Sequence, residues 1–415
     1  MTISGKALAR TPQKHVAAIA VAAAFFAAAG CGGGDGGSAG GGDCAPDSPY
    51  RIGGLLGLTG AYASLGENEQ MAMNLYAKQT NAAGGINGHP IELEFADTTS
   101  SESEAVNQLR RLATQAEVIA VVGPSSSGEG FAVKPVSTSL EVPVVVPASS
   151  TDIVTPLDEA QYMFKEFPAT DDSLNAQLTY VKEQGWKRVA ILAANNGYGQ
   201  EPVEALPSVI TQFEGLELVA SETFPPDATD VTAQLSAVAR STPDVVLVWA
   251  VNPANAVVAR NAADIGFPAM LFHSPGAATP VYLEVAGEAA NGTLVQGSKI
   301  AVPDSIEPTD AQIEVVTGFA EAWRAEYGTD PNQYAANGWD SMLLIDEALR
   351  TADVSPCDLQ EGRDQLRTSL EQNVKDLAGI NAVYTFGPDQ HGPVGIEGLA
   401  VLGVANGAFQ LEQGY

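Results

Sequence analysis

The chain has 415 residues, 45% hydrophobic and 17% charged, and its 50 acidic side chains against 20 basic ones give a formal net charge of -30. That length exceeds what one hydrophobic core usually spans, so two domains are expected, and the composition excludes a disordered chain. Nucleic acid and anionic lipid surfaces would be repelled, which excludes non-specific polyanion binding.

Residues 1–30 carry only positive charge, at Lys6, Arg10 and Lys14, and include an apolar stretch at 16–29. This is the layout of a signal peptide, and the stretch is too short for an ordinary membrane-spanning helix. The "AAGC" at 28–31 resembles the bacterial lipobox, with Ala28 where Leu is usual. The resemblance implies diacylation of Cys31, an anchor on the bacterial cell membrane and an extracytoplasmic location. Residues 31–49 are then a lipid-anchored tether, Gly-rich over "GGGDGGSAGGGD" and without core-forming side chains there. Outside the cytoplasm, Cys44 and Cys357 either pair as a disulfide or stand as separate thiols.

From Arg51 onward, short apolar runs alternate with helix-length segments. Strands are expected at 52–58, 91–96, 118–122 and 142–146, and in a second series at 189–193, 216–224, 245–249, 270–273 and 293–295. Helices are expected at 67–81, 102–113, 173–184, 254–265, 310–327 and 334–350, with a closing strand at "GLAVLGV" (398–404). Runs such as "VIAVV" and "DVVLVW" are apolar at nearly every position, as in parallel sheets covered on both faces. The rhythm breaks at "FKEFPATDD" (164–172) and after Gly297, read as passages between lobes. The expected fold is α/β, with two doubly wound parallel-sheet lobes around a ligand cleft. The N-terminal lobe takes 50–167 and 302–384, and the C-terminal lobe 168–301 and 385–415. Ligands of such sheets bind outside the carboxyl ends of the strands.

The "VVGPSSSGEG" at 121–130 is the first candidate site. A Gly-x-Ser-x-Gly nucleophile elbow fails, because no glycine pair flanks one of its serines at that spacing, and no histidine stands nearby as a base. A P-loop fails for want of a lysine between Gly123 and Phe131. No metal-ligand spacing occurs, and no cofactor is implied. What remains is a singly charged anion or polar group held by serine hydroxyls and backbone N–H groups at a helix start near Ser127. Ser126 or Ser127 could equally cap that helix, and the two roles can coexist. A second stretch, "PASSTDIVTP" (147–156), follows the next strand and would face the same crevice edge, unless it is an ordinary Ser/Thr turn.

The chain resembles the Leu/Ile/Val-binding family, the solute-binding lipoproteins of ABC importers with the type I periplasmic binding fold. The likeness rests on "GLTGAYASLGE" (57–67), "NAAGGINGHPIEL" (81–93), "VVGPSSS" (121–127), "VPVVVPASS" (142–150), "NNGYGQE" (195–201) and "ADIGF" (263–267). It implies that Ser127 and Ser150 clamp a carboxylate, with the backbone of Ala148 between them, and that Tyr198 closes from the opposing lobe. Leu65 and Val251 would line the side-chain pocket. Where amino-acid binders place an acid for the ammonium, Pro275 stands; where they often have Tyr, Val251 stands. Either another acid such as Glu129 serves, or the ligand is an aliphatic or aromatic carboxylate, or an amide, rather than an α-amino acid. The implied function is capture of an amino acid or related small carboxylate by hinge closure, without catalysis, by a monomer that delivers to an ABC permease. A ligand-sensing ectodomain is the alternative.

Overall fold

The computed structural model describes residues 45, 47–352 and 354–415. The signal peptide, Cys31, Cys44 and most of the tether lie outside the described residues. Cys357 is disulfide-bonded, and its partner also lies outside them. Among the described residues no helix is long and apolar enough to cross a membrane.

Two sheets organise the chain. The first has strands β1 (Tyr50–Leu56), β2 (Ile91–Asp97), β3 (Ala120–Val122), β4 (Val144–Val146) and β5 (Met163–Lys165), all parallel, in the order β2-β1-β3-β4-β5. Its crossovers carry α1 (Ala63–Ala82), α2 (Glu102–Thr114) and α3 (Ser127–Leu140). In α2 the buried side chains Ala105, Leu109, Leu112 and Ala113 recur at helical spacing, while Glu102 and Glu104 sit in the first turn and Arg111 in the last. Charge and periodicity therefore agree on the same helix.

The second sheet begins with β6 (Arg188–Ala194), β7 (Glu217–Phe224), β8 (Val245–Trp249), β9 (Met270–His273) and β10 (Leu294–Ser298), interleaved with α4 (Thr170–Glu183), α5 (Gly197–Val209), α6 (Thr232–Ala239), α7 (Ala254–Asp264) and α8 (Pro280–Ala286). After β10 come α9 (Ile313–Tyr327), α10 (Gln333–Ala352) and α11 (Leu359–Asn373), a short antiparallel pair β11 (Leu377–Ala378) and β12 (Val383–Tyr384), and finally β13 (Leu399–Ala405) and β14 (Ala408–Gly414). The last two return to the second sheet and complete the order β14-β13-β10-β9-β8-β6-β7. They pair antiparallel, so this sheet is parallel-dominated rather than wholly parallel.

Both sheets are covered on both faces. In the second, Ala190, Leu192, Val246 and Val248 pack to one side, and Val189, Ile191, Val245, Leu247 and Trp249 to the other. In the first, Ile52, Leu56, Val122 and Val145 meet Leu344, Ile345 and Leu349 of α10, while Leu55, Val121, Val144 and Val146 face Leu109 and Leu112 of α2. Alternating sides with no polar face explain why the strands read as unbroken apolar runs.

Several elements escaped the sequence reading, among them α5, α6, α8, β11, β12 and β14, and two others have a clear reason. Strand β5 lies where a passage between lobes was expected, because Lys165 and Glu166 interrupt its apolar signal; both side chains are buried. Helix α11 was hidden by its polarity: its buried face relies on Leu366 and Leu370 with Arg363 and Glu371.

Candidate functional site

The carboxyl ends of β3 and β4 face those of β6, β8 and β9 across a cavity of about 300 Å³, a size suited to a small solute. From the first lobe the lining takes Ser125, Ser126, Ser127 and Gly128 after β3, and Pro147, Ala148 and Ser149 after β4. The second lobe contributes Asn195, Asn196, Gly197 and Tyr198 after β6, Val251 after β8, and Pro275 and Gly276 after β9. Tyr62, Leu65, Glu102, Phe167, Gln333, Tyr334 and Asn337 complete it.

The three consecutive serines have three different environments. Ser125 Oγ accepts from the Gly57 N–H at 3.1 Å and donates to Glu69 Oε2 at 2.5 Å. Ser126 is the N-cap of α3: its hydroxyl accepts from the Glu129 N–H at 3.4 Å and donates to Glu129 Oε2 at 2.7 Å. Ser127, the first helical residue, is 2% exposed, and its hydroxyl has no partner among the described residues. Capping is thus done by Ser126, which leaves Ser127 available where the helix presents its positive end.

The second serine pair is arranged alike. The hydroxyls of Ser149 and Ser150 are buried and unpartnered among the described residues. Ser149 is on the lining; Ser150 is fully buried one residue further on, where its carbonyl accepts from Ile153 N at 3.4 Å to start a short helical turn. An unpaired buried hydroxyl costs about 1–3 kcal/mol; two of the three, on Ser127 and Ser149, belong to residues of the cleft lining, and the third, on Ser150, stands one residue behind it.

On the opposite side Tyr198 packs at a tilt against Trp249 with ring centroids 5.4 Å apart, and its hydroxyl accepts from the Gly276 N–H at 3.4 Å. Burial pushes the phenol up to about 12, so it is a neutral group. Leu65, Val251 and Pro275 all reach the lining, as does Ala148. Glu129 does not: its carboxyl is 1% exposed behind the wall, and burial holds its pKa above the usual carboxylate range.

Several groups that shape the site were not foreseen. Lys165 is 2% exposed and donates from Nζ to the carbonyls of Ser149 and Phe167, each at 2.8 Å; burial pulls its pKa down to about 8. Glu69, fully buried beneath Ser125, is pushed up to about 8, chiefly by burial. Asp340 rises to about 6 for the same reason although it accepts from Ile380 N, Asn381 N and the Tyr384 hydroxyl.

The lobes touch across the cleft. The Glu201 carboxylate of α5, held within its own lobe by the Thr170 hydroxyl at 2.8 Å, accepts from the Thr151 N–H at 2.9 Å, and the Tyr334 hydroxyl of α10 donates to Gly276 O at 3.2 Å.

Two α/β lobes enclosing a cleft that ends in unpartnered donors define a two-lobed solute receptor. The chain belongs to the periplasmic binding protein family, whose model matches residues 49–407. It is similar to Leu/Ile/Val-binding protein homolog 8 of Brucella abortus, 24% identical over 296 residues that cover 68% of this chain and 71% of the relative. Its fold is similar to that of Rp1789 from Rhodopseudomonas palustris, with a TM-score of 0.81 at 24% identity, covering 88% of this chain and all of that one. The branched-chain amino acid substrate-binding protein LivJ of Streptococcus pneumoniae, solved with isoleucine, has a TM-score of 0.75 at 25% identity over 88% of this chain and 98% of its own.

Proposed function

We propose that this protein is the solute-binding component of an ABC importer and that it captures a small carboxylate, with amino acids the class to which its relatives' names point. The observation that carries this reading is the Ser127 hydroxyl: buried, unpartnered and placed at the start of α3, where a carboxylate would gain a charged hydrogen bond and the helix dipole together. Ser149 and Ser150 supply further donors, Tyr198 closes from the other lobe, and Leu65 and Val251 accommodate the remainder of the solute.

The lobes open and close where the chain passes between them, near 167–168, near 301–302 and between His391, which still packs on β5 of the first lobe, and Leu399 of β13. Ligand shifts the population toward the closed form that a permease recognises. A monomer anchored through Cys31 at the outer face of the cell membrane suits this task, and intact-mass analysis of the membrane fraction is expected to find the diacylated cysteine.

Replacing Ser127 by Ala removes a hydrogen bond to a charged group, worth about 1.5–3 kcal/mol. Affinity measured by calorimetry is expected to fall about tenfold to a hundredfold. Unchanged affinity in Ser127→Ala would remove the clamp from the proposal.

A further inference from the structure

The polarity of the cleft is one-sided. Its unpartnered donors, the hydroxyls of Ser127 and Ser149 with Ser150 beside them, all come from the carboxyl ends of β3 and β4. Several of the carbonyls that an ammonium could use already accept hydrogen bonds within the protein. Gly276 O accepts from Asn252 Nδ2 at 3.1 Å as well as from Tyr334. Pro147 O accepts from Asn337 Nδ2 at 3.3 Å, and the carbonyls of Ser149 and Phe167 are both taken by the Lys165 ammonium. Gln333 spends its amide on Asn337 and Asn381 and its carbonyl on Ser298 N.

The charges point the same way. Lys165 is a buried cation one carbonyl away from the serine pair; it faces the carboxyls of Glu201, Asp172 and Glu166, and its ammonium repels a second one brought against that carbonyl. Glu69 and Glu129 lie behind the wall, off the lining. Among the described residues Glu102 is the only acid on the lining, and it is exposed at the mouth. Its Oε1 lies 2.9 Å from where a Cβ on Gly128 would stand, against the start of α3, where helix N–H groups attract it. Opposite the serines stand Pro275 and Val251, which offer no side-chain acceptor.

We propose that the cargo is a monocarboxylic acid with an uncharged, largely apolar remainder, and that the site discriminates against the matching α-amino acids. This rests on the carboxylate reading above and narrows it. Beside Pro275 and Val251 an ammonium would leave water with no carboxylate to meet it, the costly case for a buried ion.

The test is calorimetric titration of the purified protein with matched pairs, isocaproate against leucine and hydrocinnamate against phenylalanine, within a wider panel of straight, branched and aryl monocarboxylic acids. At least one acid is expected to bind more than about a hundredfold tighter than its α-amino partner, and Ser127→Ala is expected to weaken it. If the α-amino acids bind as tightly as their partners or tighter, and Ser127→Ala weakens them, this inference is overturned while the carboxylate receptor stands. If binders from either set ignore Ser127→Ala, or if no carboxylate in the panel binds, both fall together.

Discussion

Replacing Glu69 by Gln is expected to raise the stability of the protein at about pH 8 by roughly 4–5 kcal/mol and to flatten its pH profile between about pH 4.5 and pH 8. Glu69 is fully buried, and its pKa is pushed up to about 8 by burial first, against the hydrogen bond from Ser125 that lowers it, with the neighbouring Glu129 raising it further. In the unfolded chain the same carboxyl ionises near 4.5. Between those values the folded protein holds a proton that the unfolded chain has released, so stability falls as pH rises. Below the lower value both states are protonated and the contribution is intact; above the upper one it is lost. Each pH unit in the window is worth about 1.4 kcal/mol, which sets the size of the effect. Glutamine keeps the shape and the contact with Ser125 but cannot ionise. The measurement is urea unfolding of the parent and Glu69→Gln at about pH 5 and about pH 8, ends of the window that linkage defines. Parallel profiles for the two proteins would show that Glu69 does not hold the proton.

The acid beneath the serines also shows which parts of the molecule could be read in advance. The alternation of apolar runs with helical segments survives translation into structure because every inner strand buries both faces; β8 matches its expected span of 245–249 residue for residue. The "PSSS" stretch was legible as an anion-holding or capping site, but one sequence cannot divide three adjacent serines among three roles. That division depends on Gly57, just after β1, and Glu69 of α1 reaching Ser125, and on Glu129 folding back on Ser126. Lys165 was illegible for a different reason. Its charge argued for a surface passage, whereas the structure buries it by giving its ammonium two carbonyls of the cleft wall. Gln333, Tyr334 and Asn337 come from α10, some 200 residues after the first serines, and only the return of the late helices to the first lobe brings them to the cleft. Contacts set by tertiary packing leave little trace in local pattern.

Gly123→Ala is expected to destabilise the protein by about 3–5 kcal/mol, among the largest effects of any single methyl group in the chain. Gly123 follows β3 and turns the chain toward the serines with φ at +118, a conformation that L side chains rarely adopt. Conformation alone costs about 1–3 kcal/mol. The added Cβ would in addition stand 2.0 Å from Leu55 O and 2.8 Å from Leu55 C, both backbone atoms of β1, held between β2 and β3 in the first sheet. No rotamer relieves that contact, and withdrawing Gly123 would break the bond from its N–H to Val145 O at 2.9 Å. Gly185 supplies the control, since it too has a positive φ, +74, but a Cβ there would meet nothing within 4 Å. Gly185→Ala should therefore cost only the conformational part, about 1–2 kcal/mol. Urea midpoints separate the two: equal losses would show that the Leu55 contact relaxes without penalty. A larger loss at Gly123, accompanied by weakened ligand binding in the fraction that remains folded, would tie the position of Ser127 to the close approach of two strands rather than to the serines themselves.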